Sequence, residues 1–219
     1  KKFHEISTTL FDAVNDAESG VKNTVTDASA VDVDQITLGK LSACQNEAAV
    51  SGDINTGGVA GSMALEYALD PEDDVSSDLD GSYKRQYTYR AVLQHCVNTG
   101  AITGKRSYVG GICGRMELGL ITDSRGYGRI SSENGDYVGG ITGSSDYVLR
   151  RNYSMCMVTG NDYVGGVTGW GKNVYENYAL VTLTSDGGEW IGSIAGDGDT
   201  DGTVEGNYYV DGGIGAVDG

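Results

Sequence analysis

The segment AGDGDTDGTVEG at 195–206 carries the sharpest local pattern in the chain. Asp197, Asp199, Asp201 and Gly202 spell D-x-D-x-D-G. Alternating carboxylates on a tight loop supply the hard oxygens that Ca²⁺ requires, about six to eight at short range. Thr203 would add its carbonyl, and Glu205 would reach the ion directly or through water. The EF-hand rule then fails, because Tyr208 stands where a bidentate Glu is needed. Asp197, Asp199, Asp201, Thr203 and Glu205 are therefore candidate calcium ligands outside an EF-hand. The competing reading is a polar turn, since Asp and Gly are also turn residues. Calcium apart, nothing in the chain calls for a cofactor.

A second group is aromatic. Tyr108, Tyr137, Tyr163 and Trp190 recur in equivalent sequence contexts. Ring faces pack on apolar sugar faces, so an exposed aromatic column is a candidate ligand-binding platform. Like residues stacked for stability are the alternative, and the recurrence across the whole chain favours it. A further column is expected to run Cys44, Cys96, Ser124, Tyr153, Tyr178 and Tyr208, with Asn152, Asn177 and Asn207 just before it.

Nucleophilic chemistry finds little support. The four cysteines are Cys44, Cys96, Cys113 and Cys156, and no two form a CxxC pair. Cys44 and Cys96 share a register and could neighbour one another, but parallel stacking suits a disulfide poorly, so buried free thiols are expected. The two histidines, His4 and His95, are not placed as catalytic bases. Lys105, Arg106, Arg115, Glu117, Asp123, Arg125 and Arg129 could line a groove of a carbohydrate-active enzyme, a polysaccharide lyase or hydrolase. Their spacing singles out no acid–base pair. The chain is expected not to be an enzyme.

The chain has 219 residues, 15 of them basic and 31 acidic, for a formal charge of −16. Such a surface repels phosphate backbones and anionic headgroups, so nucleic acid is not an expected partner. No apolar run is long enough to span a bilayer, so no direct membrane insertion is expected. The chain starts at Lys1 and shows no signal peptide, and it reads as an excised piece of a longer protein.

Two regimes position these residues. Phe3, Ile6, Leu10, Val14, Ala17, Val21 and Val25 form one helical stripe. This amphipathic helix is expected either to end a stalk, where it could self-associate as a coiled coil, or to cap the repeats C-terminal to it. Residues 26–37 read as an acidic linker, so 1–37 is a unit of its own. From residue 38 a repeat takes over: YVGGICG at 108–114, YVGGITG at 137–143, YVGGVTG at 163–169, WIGSIAG at 190–196 and a weaker NTGGVAG at 55–61. The last three steps between first glycines are 29, 26 and 27 residues. The first step, 53, is assigned to one period plus an insertion at about 63–90. That insertion holds Glu66, Asp70, Glu72, Asp73, Asp74, Asp78 and Asp80, an acidic loop.

A period in the twenties with Val/Ile/Thr/Tyr runs means a solenoid whose units bury their apolar faces only by stacking. Of the 35 glycines, all but Gly20 and Gly39 lie in 51–219, where corners and close backbone approaches demand them. The expected fold is all-β: a right-handed parallel β-helix of about five to six coils over 38–219.

The VGGI-x-G core, with Cys96, Asn98 and Gly100 about twelve residues before it, resembles the GLUG motif. That repeat occurs in large bacterial surface proteins, including adhesins and IgA-protease-type metallopeptidases. The chain lacks their HExxH zinc signature. The resemblance implies an extracellular, cell-surface module of a larger bacterial protein, a spacer, scaffold or adhesive domain. Its implied partner is a host or neighbouring-cell glycan or protein. The alternatives are the enzyme above and a glycan-binding module.

Overall fold

The computed structural model describes residues 25–64, 87–185 and 187–218. The helix expected over 3–25, apart from Val25, which begins a strand, and most of the 63–90 insertion lie outside the described residues. Every strand pair among the described residues is parallel, and the strands form a β-solenoid of about four turns.

Each turn passes through three sheets. The shortest holds five strands of two residues, Thr56–Gly57, Val109–Gly110, Val138–Gly139, Val164–Gly165 and Ile191–Gly192. The chain then enters a second sheet, for example through Thr142–Arg150 and Thr168–Tyr175, turns a corner, and enters a third through Arg125–Ser132 and Tyr153–Gly160. Gly57 lies opposite Gly110, so the step of 53 positions from one to the other is one turn with its extra residues.

The expected five to six coils reduce to about four turns because the last repeat is short. After Glu205 it adds only the strand Tyr208–Tyr209 and a bridge from Ala195 to Val217. It contributes no strand to the shortest sheet.

Inside, residues of one kind stack at the strand spacing of about 4.8 Å. One column runs Leu93, Ile121, Leu149 and Val174, and another Ile102, Ile130 and Val158. A third, Ile112, Ile141, Val167 and Ile194, is linked by backbone hydrogen bonds of 2.8–2.9 Å and is fully buried. No single turn could bury these side chains, so the core exists only as a stack.

The corners depart from what composition alone suggests. The residues with left-handed φ are mostly not glycines. One corner is built by Asn55, Tyr108, Tyr137, Tyr163 and Trp190, with φ of 51–67°. The other is built by Ala43, His95, Asp123, Arg151 and Glu176, with φ of 52–57°. The repeat's glycines serve close approach instead. A Cβ on Gly110 would collide with the Cys113 carbonyl oxygen and lie 2.6 Å from the Thr142 Cα. A Cβ on Gly143 would lie 2.6 Å from the Val109 amide nitrogen.

At the second corner the expected register is off by one residue. Val97, Arg125, Tyr153, Tyr178 and Tyr208 share one column. The preceding positions, Cys96, Ser124, Asn152, Asn177 and Asn207, form the inward ladder. The polar residues point in because they bond the corner backbone. The Asn152 backbone and side-chain N–H groups both donate to Asn177 Oδ1, at 2.9 and 3.0 Å. Asn177 repeats this toward Asn207 at 2.9 and 3.0 Å. Cys96 N–H donates to Ser124 Oγ, and Ser124 N–H to Asn152 Oδ1.

Residues 26–37, expected as a linker, pack on the solenoid. Val25–Asp27 pairs with Tyr87–Tyr89, and Asp27 accepts from the Gly119 amide at 2.6 Å. Val33 is buried against Val92 and Leu120, which leave an apolar strip on the outside of the second sheet. That strip is the physical reason the segment does not run free.

Asn177 is fully buried and supports three neighbours, so Asn177→Ala leaves several corner groups unpaired. Urea denaturation is expected to show a loss of about 2–4 kcal/mol. A loss below about 1 kcal/mol would mean that the ladder does not hold the corner.

Candidate functional site

The corner before each two-residue strand holds its aromatic side chain against the next turn's. Tyr108–Tyr137, Tyr137–Tyr163 and Tyr163–Trp190 stack with centroids 5.0, 4.5 and 4.5 Å apart and planes within 12°. The expected column therefore forms, but Tyr137 and Tyr163 are covered on both faces by neighbouring rings, and Tyr108 and Trp190 on one. The Arg115 guanidinium lies 4.9 Å over the Tyr108 ring. Ring edges and hydroxyls are what this column presents. Burial pushes the Tyr137 hydroxyl above its ordinary pKa, and the neighbouring Tyr163, Tyr108 and Asp136 add to the shift.

Beside the ladder runs a second column: Ser62, Arg115, Ser144, Trp170 and Asp197. Each of these comes directly after the closing glycine of one repeat. The two columns enclose a groove of about 250 Å³ along the solenoid axis, with Asp146 on its wall. Trp170 is half-buried and, among the described residues, stacks on no other ring. Ser144 lies at the bottom, nearly buried. Arg115 also bonds Glu117 at 2.9 Å. Trp170 and Ser144 do not stand out in the sequence as site residues. The signal is present nonetheless: the residue after the repeat's last glycine varies freely while its surroundings recur.

The third sheet presents a different surface. Tyr153–Tyr178 and Tyr178–Tyr208 stack at 4.8 and 5.0 Å. Two residues on, Met155, Leu180 and Val210 are 48, 53 and 63% exposed. Together these six line a shallow apolar trough of about 270 Å³.

The acidic segment is a bulge within a strand, with the four residues 199–202 opposite the single Lys172. Ala195–Glu205 is one strand of eleven residues, and its register slips opposite Lys172, between Gly198 and Thr203. The Lys172 ammonium holds Asp199 at 3.1 Å, and Asp199 also accepts from the Asp201 amide at 2.8 Å. Those two contacts, the amide first, hold the Asp199 carboxyl below its usual pKa. Asp197 faces the aromatic groove, whereas Thr203 and Glu205 lie beyond the slip, opposite Asn173 and Tyr175. Among the described residues no three His, Cys, Asp or Glu side chains gather as a metal group.

The cysteines are free thiols. Cys44 and Cys96 neighbour one another through the ladder, as their register implied. Burial pushes the Cys113 thiol up to about 12 and the Cys156 thiol up to about 11, which keeps both protonated. His95 is exposed at a corner, and His4 lies outside the described residues. The charges considered for an enzyme groove are dispersed. Arg106 pairs with Asp53, Arg115 with Glu117, and Asp123 with Arg151, while Arg125 lies 5.8 Å over the Tyr153 ring.

Comparison with protein-family models, with curated proteins and with solved structures finds no match for this chain.

With Asp199 held by Lys172, millimolar Ca²⁺ added to EDTA-treated protein is expected to leave Tm unchanged. A rise of several degrees would show that the strand rearranges around the ion. The Asp123–Arg151 pair gives a second expectation. Burial raises the Asp123 carboxyl, but hydrogen bonds from Arg151 and Thr122 outweigh it and set the net shift downward. A depressed carboxylate stabilises above its unfolded pKa of about 3.9, and that stability is lost as pH falls through the folded value. Asp123→Asn is therefore expected to cost under about 1 kcal/mol at neutral pH. Its Tm deficit should close below about pH 4, and a deficit independent of pH would refute the pairing.

Proposed function

We propose that this chain is a non-catalytic surface module of a larger exported bacterial protein, acting as a rigid spacer with an adhesive face. A right-handed coil is part of the proposal, since parallel crossover connections nearly always take that hand. The resemblance to GLUG repeats supports the surface setting. The observation that carries the adhesive role is the trough of Tyr153, Met155, Tyr178, Leu180, Tyr208 and Val210. The exterior of a chain with net charge −16 has little reason to keep such a strip in water unless something covers it. The scaffold explains how the strip is displayed: each turn adds one tyrosine and one aliphatic side chain at a fixed spacing. A host or neighbouring-cell surface is the partner this reading implies.

Brief trypsin treatment of intact producing cells is expected to release peptides of this chain. Beads coated with the purified chain should be retained on cultured epithelial cells or on the producing bacteria. The double variant Tyr178→Asp, Leu180→Asp should reduce retention at least several-fold with Tm nearly unchanged. Peptides released only after lysis, or retention no better than albumin-coated beads, would overturn the proposal.

A further inference from the structure

We infer that the groove beside the aromatic ladder binds a neutral hexose chain, with one sugar ring seated over Ser144 against the face of Trp170. This inference rests on the adhesive reading above and names a partner class for a second face of the same module.

The geometry begins with the stacking distance. Arg115, Ser144 and Trp170 occupy the same position on three consecutive strands. At about 4.8 Å per strand, Arg115 and Trp170 are roughly 9–10 Å apart at the backbone. Ser144 between them is small and nearly buried, so it forms the floor of a notch. A saturated six-membered ring fits such a gap, touching each wall at about 4 Å. Arg115 keeps the notch open on its side, because its guanidinium is turned over Tyr108 and bonded to Glu117.

The chemistry of the walls selects the ligand. The ladder rings that line the groove, Tyr108, Tyr137 and Tyr163, are covered by neighbouring rings and by Arg115, so their faces cannot receive a sugar. Trp170 is the groove's aromatic side chain without a stacked partner among the described residues. An indole face packs on the apolar C–H face of a pyranose. Tyr137 and Tyr163 bring hydroxyls along the groove, Arg115 brings donors, and Asp197 brings acceptors. Sugar hydroxyls both donate and accept, so they use this mixture, whereas an apolar peptide would strand it. Charge narrows the class further. Asp197 lines the groove, Arg115 is already shared with Glu117, and the whole chain carries −16. A uronate or sialate would approach against that field. Arg115 and Trp170 close the notch along the axis, so it seats one ring, and the rest of the glycan leaves it across the groove toward solvent.

The purified chain would be titrated calorimetrically with neutral glucan, mannan and galactan oligosaccharides, and with polygalacturonate and chitosan oligosaccharides as charged counterparts. At least one neutral series should bind. Trp170→Ala should weaken that binding at least tenfold, and Ser144→Leu, which fills the notch without removing the ring, should do the same. Met157→Ser, an exposed position of the third sheet outside both the groove and the trough, should leave it unchanged. Absence of neutral binding at millimolar ligand, preference for a charged polymer, or equal loss in Met157→Ser would overturn the inference. If beads are still retained on cells while neutral glycans fail, only this inference falls. If surface exposure fails while the oligosaccharide binds, the adhesive reading falls and the site stands.

Discussion

The shortest sheet and the start of the next one approach so closely that backbone meets backbone. Gly110, Gly139 and Gly165 face the carbonyls of Cys113, Thr142 and Thr168, with no room for a side chain. Gly114, Gly143, Gly169 and Gly196 meet the previous strand from the other side. This contact brings the chain back on itself within seven residues of each aromatic corner. It also keeps successive turns in register, because each glycine is wedged against the backbone of the adjoining turn. The rest of the architecture depends on it: the stacked Ile112, Ile141, Val167 and Ile194, the two corners, and the columns on the outside.

Register has an energetic consequence at the corners. A left-handed backbone costs roughly 1–2 kcal/mol at a non-glycine residue, and each turn before the last has two such residues. At the first corner the tyrosines and Trp190 offset part of that cost by ring stacking, roughly 0.5–1.5 kcal/mol per pair. At the second corner the offset comes from the next residue along, where Asn152, Asn177 and Asn207 bond the backbone of neighbouring turns. Both devices work only between turns, so corner and neighbour stabilise one another or neither forms.

The same regularity explains where function can reside. Positions inside the columns are constrained to a few residue types. Positions that point outward beside a column are not, and it is there that Arg115, Ser144, Trp170 and Asp197 succeed one another without resemblance. The outer columns of the third sheet likewise drift from Arg125 and Tyr127 to Tyr208 and Val210. A solenoid thus writes surface chemistry as a sequence of substitutions on one lattice, with the spacing supplied by the backbone.

The repeat period, the parallel solenoid, the aromatic column and the place of Cys113 among small core residues were legible in the sequence, because stacking makes each turn repeat its neighbour's constraints. The one-residue slip between the tyrosine and asparagine columns was not, since an aromatic attracts attention where the shorter amide does the inward bonding. Spacing alone joined the aspartates of 195–206 into one cluster. Only the tertiary structure showed a strand that slips past Lys172 and divides them. It likewise drew residues 26–37 onto the apolar strip at Val92 and Leu120, a surface that exists only once two turns lie side by side. Local pattern specifies which way a residue faces within its turn. What it meets there is decided by the neighbouring turn, from residues 25 to 53 positions away.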